Sequence, residues 1–160
     1  MAIFGAGSYW DSDKTSDFVA NNVVVIGWNY KDAPGLHQLL RLLKVGDIVY
    51  LKSSPPGKKQ LIIKAVGIIL DDKILEERDL ILTTGGSLGR NVGYIWQGNE
   101  NIPLEDDKEP LKGFTIYEEH HLGIQTKILE LIFSNCHFDH LVALRVLEKL
   151  SHSVTTGLEV

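Results

Sequence analysis

Three tryptophans, Trp10, Trp28 and Trp96, carry the chemistry most open to interpretation in this chain. An indole offers a flat apolar face on which a planar heterocycle can stack, worth about 1–3 kcal/mol per base. A base drawn out of its strand must be stacked and then identified by its polar edge. The side chains of Asn29, Asp32, Ser53 and Asn91 are candidate edge readers. Lys52, Lys58, Lys59 and Arg90 are candidate phosphate contacts. Trp28 is the leading wall, because it follows the apolar run Val23-Val24-Val25-Ile26 and precedes polar Asn29. Each residue also has a plainer reading. A tryptophan in a domain of this size is most often core, Ser53 suits a turn beside Pro55, and Asp47 suits accepting N–H groups within its own turn.

Other constellations are weaker. Gly5-x-Gly7 and the run Gly85-Gly86-Ser87-Leu88-Gly89-Arg90 could present backbone N–H groups to a phosphate. Neither has the Lys-Ser or Lys-Thr ending of a P-loop or the strand–turn–helix setting of a dinucleotide fingerprint. Cys136, His137 and His140, with His120 and His121 nearby, are metal-ligand types, but their spacing fits no standard zinc site. Cys136 and His137, as neighbours on a helix, would point apart and make a poor nucleophile–base pair. No Ser/His/Asp signature stands out, so the sequence supports neither a catalytic set, nor a metal, nor a cofactor.

The chain has 160 residues, 44% hydrophobic and 23% charged, which excludes a disordered chain, a coiled coil and a collagen-like fibre. Sixteen Lys and Arg against twenty-one Asp and Glu give a net charge of −5, which argues against coating duplex DNA by bulk electrostatics. The charges are uneven: over residues 48–70 they are Lys52, Lys58, Lys59 and Lys64, whereas acids gather at Asp71-Asp72, Glu76-Glu77-Asp79 and residues 105–109. A locally basic face on an acidic protein is one reading, scattered solvated lysines the other. One cysteine, Cys136, cannot form an internal disulfide, which points to a cytoplasmic location. No apolar run approaches the roughly 20 residues that span a bilayer, and no signal peptide is visible.

The residues listed first need elements to position them. Ile3-Phe4 predicts a short strand, followed by a loop through Trp10. Thr15 or Ser16 would cap a short helix ending at Asn21-Asn22. The Val23–Ile26 run predicts a strand buried on both faces. Pro34 predicts the start of a helix through Leu43, with Leu36, Leu39, Leu40 and Leu43 as its apolar stripe. Lys44-Val45-Gly46-Asp47 predicts a turn into a strand over 48–51, and residues 61–70 return as a long strand across a basic tip. A glycine-rich loop over 83–90 precedes strands at 92–96 and 114–117. Ile124, Ile128, Leu131 and Ile132 share one helix face, and Phe138, Leu141, Val142, Leu147 and Leu150 predict a second helix. The pattern is α+β, a small curved sheet or barrel with an inserted helix and two C-terminal helices.

The order Ile26-Gly27-Trp28, helix, Lys44-Val45-Gly46-Asp47, strand ending in Ser53, then Ala65-Val66-Gly67 resembles the PUA-like superfamily, and within it the EVE and YTH domains. It is also similar to modified-base-binding modules of methylcytosine-dependent restriction systems. Tyr94-Ile95-Trp96 and Ile102-Pro103-Leu104 loosely match later segments of EVE domains. The resemblance covers residues 23–117; Lys52, the N-terminal strand and loop, and the C-terminal helices depart from it. It implies a PUA-like barrel over residues 1–120; the change of apolar period near Leu122 predicts a helical extension over 121–153, and residues 154–160 read as a tail or linker. The resemblance further implies a non-catalytic reader of nucleic acid, DNA or RNA, that takes a modified or flipped base in an aromatic pocket. Two other readings remain: a binder of a free nucleotide or nucleotide-derived signal, and an accessory subunit that meets a protein partner or its own copy through the C-terminal helices.

Overall fold

The computed structural model describes residues 1–54, 60–81, 83–103 and 115–135. Its strands are β1 (Ile3–Gly7), β2 (Val23–Ile26), β3 (Ile48–Ser53), β4 (Gln60–Glu76), β5 (Leu88–Pro103) and β6 (Ile116–Glu118). Its helices are α1 (Thr15–Ala20), α2 (Pro34–Leu42), α3 (Glu77–Leu80) and α4 (Leu122–Asn135). The protein is α+β: the strands make one curled, mixed half-barrel sheet in the order β2-β5-β4-β3-β1-β6. The β1–β3 pair is parallel and the remaining pairs are antiparallel. No helix among the described residues is long and apolar enough to cross a membrane.

Strand alternation builds a core on each face of this sheet. Phe4, Ala6, Val49 and Leu51 enter one core with Phe18 of α1 and Leu40 of α2. Ile3, Ile48 and Tyr50 enter the other with Ile124, Ile128, Leu131 and Ile132 of α4. The α4 stripe is therefore the one its spacing predicts. Each of these buried aliphatic side chains contributes about 1.5–3 kcal/mol relative to exposure. All four residues of β2 are buried, as a strand covered on both faces requires.

Several element bounds differ from expectation. β1 continues through Gly5-Ala6-Gly7, where a loop is predicted, because β3 and β6 hydrogen-bond it from either side. A Cβ on Gly5 would stand 2.6 Å from the Tyr50 hydroxyl and 2.9 Å from the Tyr117 ring, so glycine admits both rings over the strand. β4 runs on past Leu70 through the acidic pair Asp71-Asp72 by way of an irregularity between Ile69 and Ile74. Arg90 and Asn91 of β5 hold that stretch at Asp71. α3 has no counterpart in the sequence reading; Glu76 and Asp79 close it with a reciprocal capping box. The predicted second C-terminal helix, the tail and the basic tip at 55–59 lie outside the described residues.

The Lys44–Asp47 turn sets the start of β3. Gly46 takes φ +88°, a left-handed value suited to glycine. The Asp47 carboxylate accepts from the Lys44 N–H at 2.8 Å and from the Ala2 N–H at 2.8 Å, fastening the N-terminus beside β3.

The closest approach of β4 to β5 gives a stability test. A Cβ on Gly67 would lie 2.7 Å from the Gly93 carbonyl oxygen and 2.5 Å from a Val92 methyl carbon. Gly67→Ala is therefore expected to lower unfolding free energy by about 1–3 kcal/mol in urea titration. Gly35→Ala, on α2 with nothing within 4 Å, should leave it unchanged or raise it by up to about 1 kcal/mol.

Candidate functional site

The chain leaves β2 at Gly27 and turns at Trp28 toward α2. The Trp28 carbonyl oxygen accepts from His37 Nε2 at 2.6 Å and from Ser87 Oγ at 2.8 Å. A carbonyl only accepts, so His37 presents N–H at Nε2. The Trp28 indole N–H donates to Thr115 Oγ1 at 3.2 Å, beside the start of β6. The next carbonyl, that of Asn29, accepts from the N–H groups of Asp32 and Ala33 at 3.1 and 3.0 Å. Pro34 then opens α2, and buried His37 faces the turn from its first coils. Segment 28–33 is thus braced from α2, from the turn before β5 and from the strand β6 side. Even so, the Trp28 side is 55% exposed.

Trp10 lies beneath this turn. Its ring comes to 3.3 Å of where a Gly27 Cβ would stand and packs edge-on against Phe18 at 5.6 Å. Asn29 and Asp32 are exposed on the same turn as Trp28. These four predicted residues share one neighbourhood. Trp96 does not join them: it packs against the α4-side core, with its ring over Gly98. Strand alternation decides this, since Trp96 sits across from Val66, which faces α4. Of the three candidate walls, Trp10 and Trp28 therefore lie in one neighbourhood and Trp96 lies apart. Asn91 donates to Asp71 Oδ2 at 2.8 Å across the β4–β5 pair. Ser53 is half-buried at the end of β3, paired with Ile62.

The two predicted cations that are described are both interior. Arg90 is 1% exposed, and its guanidinium donates to the carbonyls of Leu40, Leu43 and Asp71. It satisfies the open C-terminal carbonyls of α2, a role its sequence setting in a glycine-rich run conceals. Burial holds its pKa below the ordinary arginine value, against the opposing pull of Asp71, Asp72 and Asp47. An arginine so placed does not reach an external phosphate. The glycine runs are also spent within the fold. Gly85 N–H donates to Leu80, Ser87 N–H to Ile26, and Gly7 N–H to Thr115. Lys58 and Lys59 lie outside the described residues.

Lys52 is 3% exposed and sits over the Tyr117 ring at 5.2 Å. Beside it is a buried polar cluster that sequence reasoning missed. Tyr50 and Tyr117 hydroxyls lie 2.6 Å apart, and both donate to Glu119 Oε2, at 2.6 and 3.2 Å. Glu119 Oε1 accepts the His121 N–H at 2.7 Å, and its carbonyl accepts Gln125 Nε2 at 2.6 Å, so the cluster anchors the start of α4. The available signal was alternation, which puts Tyr50 and Lys52 on one face of β3. A second missed group borders Trp10: Asp13 pairs with Lys64 and accepts from Thr15. Burial alone would raise the Asp13 pKa, but the hydrogen bonds from Lys64 and Thr15 outweigh it and hold it below the usual value.

Metal-type residues form no group of three or more among the described residues. His120 is exposed, and His121 Nδ1 accepts the Ile124 N–H at 3.3 Å as a cap of α4. Cys136, His137 and His140 lie outside the described residues.

Burial brings Lys52 down to about 8 from 10.5, although Glu119 pulls the other way. The cost of holding its charge is present in full below pH 8 and is relieved as pH rises from about 8 toward 10.5. Burial pushes the Tyr50 and Tyr117 hydroxyls up, so their contribution is lost only above pH 10, where unfolded tyrosines ionise. Urea titrations are therefore expected to show stability rising between pH 8 and 10 by up to about 2–3 kcal/mol. Lys52→Met should remove that rise; an equal rise in the variant would contradict the assignment.

Comparison of the chain with protein-family models finds no match, and comparison with curated proteins likewise finds none.

Proposed function

We propose that this protein is a non-catalytic nucleic-acid reader with a PUA-like fold, and that a modified or flipped base stacks on Trp28. One observation carries this reading: a tryptophan more than half exposed, on a turn whose backbone and indole are both hydrogen-bonded in place. Exposing a large ring is unfavourable, and bracing it keeps it ready for a planar partner without an ordering cost on binding. Asn29 and Asp32 supply edge-reading groups beside it, and Trp10 supports the turn from below. The order strand, tryptophan, helix, Lys-x-Gly-Asp turn, strand supports the PUA-like assignment. A cytoplasmic location belongs to the same reading.

The free-nucleotide reading drew on the glycine runs and Arg90, whose donors are used internally. It loses ground accordingly. The accessory-subunit reading rests on the C-terminal helices, of which α4 is described.

Fluorescence anisotropy with labelled single-stranded DNA and RNA hexanucleotides, with and without one methylated base, tests the proposal. The wild type should prefer a methylated member of the set. Trp28→Ala should weaken that complex about tenfold or more while leaving the thermal midpoint within a few degrees. No binding to any member, or equal binding by Trp28→Ala, would overturn it.

A further inference from the structure

A second exposed ring stands two residues beyond Trp28. Tyr30 is 58% exposed and meets His37 edge-on, with ring centroids 5.4 Å apart. His37 is the same buried side chain that holds the Trp28 carbonyl. One histidine thus holds the backbone beneath one ring and packs against the other ring. Tyr30 was absent from the sequence candidates because its position in a polar turn, Asn29-Tyr30-Lys31-Asp32, marks it as surface.

We infer that Tyr30 is a second stacking ring, so that the site takes two adjacent bases of a single strand rather than one isolated base. This rests on the reader proposed above. Composition favours this occupant over a protein segment. The turn exposes two aromatic rings with Asn29 between them and Lys31 and Asp32 directly after them. Exposed aliphatic residues lie elsewhere: Leu42 at the end of α2, Val45 in the turn before β3, Leu70 on β4, Ile81 after α3 and Leu122 on α4. Stacking planes with polar surroundings suit nucleobases, whose faces are apolar and whose edges and backbone are polar. Lys31 is an exposed cation of the same turn, the residue type that contacts a nucleic-acid phosphate. A tyrosine also keeps its hydroxyl in water while the ring stacks, which makes its exposure tolerable in the unbound protein.

The probes are a dinucleotide and the corresponding mononucleotide carrying the modified base that the wild type prefers, titrated against intrinsic fluorescence. The wild type should bind the dinucleotide about tenfold more tightly than the mononucleotide. Tyr30→Ala should abolish that difference, bringing dinucleotide affinity down to the level of the mononucleotide, while Tyr30→Ala and wild type keep thermal midpoints within a few degrees of each other. Tyr30→Phe, which keeps the ring, should retain it within about twofold. If Tyr30→Ala keeps the full dinucleotide preference while Trp28→Ala loses binding, the second ring is overturned and the reader stands. If the wild type binds neither probe nor any oligonucleotide, both are overturned.

Discussion

The Trp28 carbonyl oxygen is the point on which the candidate site depends. It receives His37 from α2 and Ser87 from the turn that leads into β5. Those segments are far apart in sequence, and β2 reaches them at its last residue. With both lone pairs occupied, the peptide after Trp28 cannot rotate without losing two hydrogen bonds. Each is worth about 1 kcal/mol net, and more if a buried donor such as His37 is left unsatisfied. Exposure of the indole then reads as a consequence of a fixed backbone, not of a loose loop. The indole N–H bond to Thr115 completes the constraint from the β6 side.

The sheet makes this arrangement possible by placing β1 between β3 and β6. Gly5 lets Tyr50 and Tyr117 cross over β1 and meet Glu119, which in turn fixes the first coil of α4. One face of the sheet is therefore devoted to a partly polar core under α4. The other packs against α1 and α2 and carries the Trp10, Gly27 and Trp28 side. The charges divide in the same way. Lys52 and Arg90 are consumed inside, one over an aromatic ring and one at the end of α2. The recognition proposed at Trp28 would rely on stacking and polar edges more than on a basic field, in keeping with a net charge of −5.

Much of the fold was legible in the chain because local patterns and tertiary packing agree. Val23–Ile26, Pro34–Leu42 and the α4 stripe followed from apolar spacing, and Lys44–Asp47 from turn chemistry. The site was only half legible. Trp28 announced itself by standing at the end of an apolar strand. Trp96 looked equivalent, since nothing local tells which face of a long, irregular strand such as β5 meets α4. Arg90 misled for a related reason: its partners are carbonyls of Leu40, Leu43 and Asp71, and backbone acceptors leave no trace in side-chain sequence. Glu119 stands in an acidic-looking stretch, and only the pairing of β1 with both β3 and β6 puts the two tyrosines on either side of Gly5 and within reach of it. Tyr30 reads as an ordinary surface residue because its histidine partner lies in α2, beyond the polar turn and out of reach of any local pattern.

The central claim is that Trp28, alone of the three indoles, is fixed in place and open to a planar ligand. Fluorine NMR of protein labelled with 5-fluorotryptophan tests it directly, with each resonance assigned by Trp→Phe substitution. The account predicts one narrow Trp28 line with the largest solvent-isotope shift of the three. That line should also move most when the preferred single-stranded hexanucleotide is added. A Trp28 line insensitive to both solvent and oligonucleotide, or a response centred on Trp96, would contradict it.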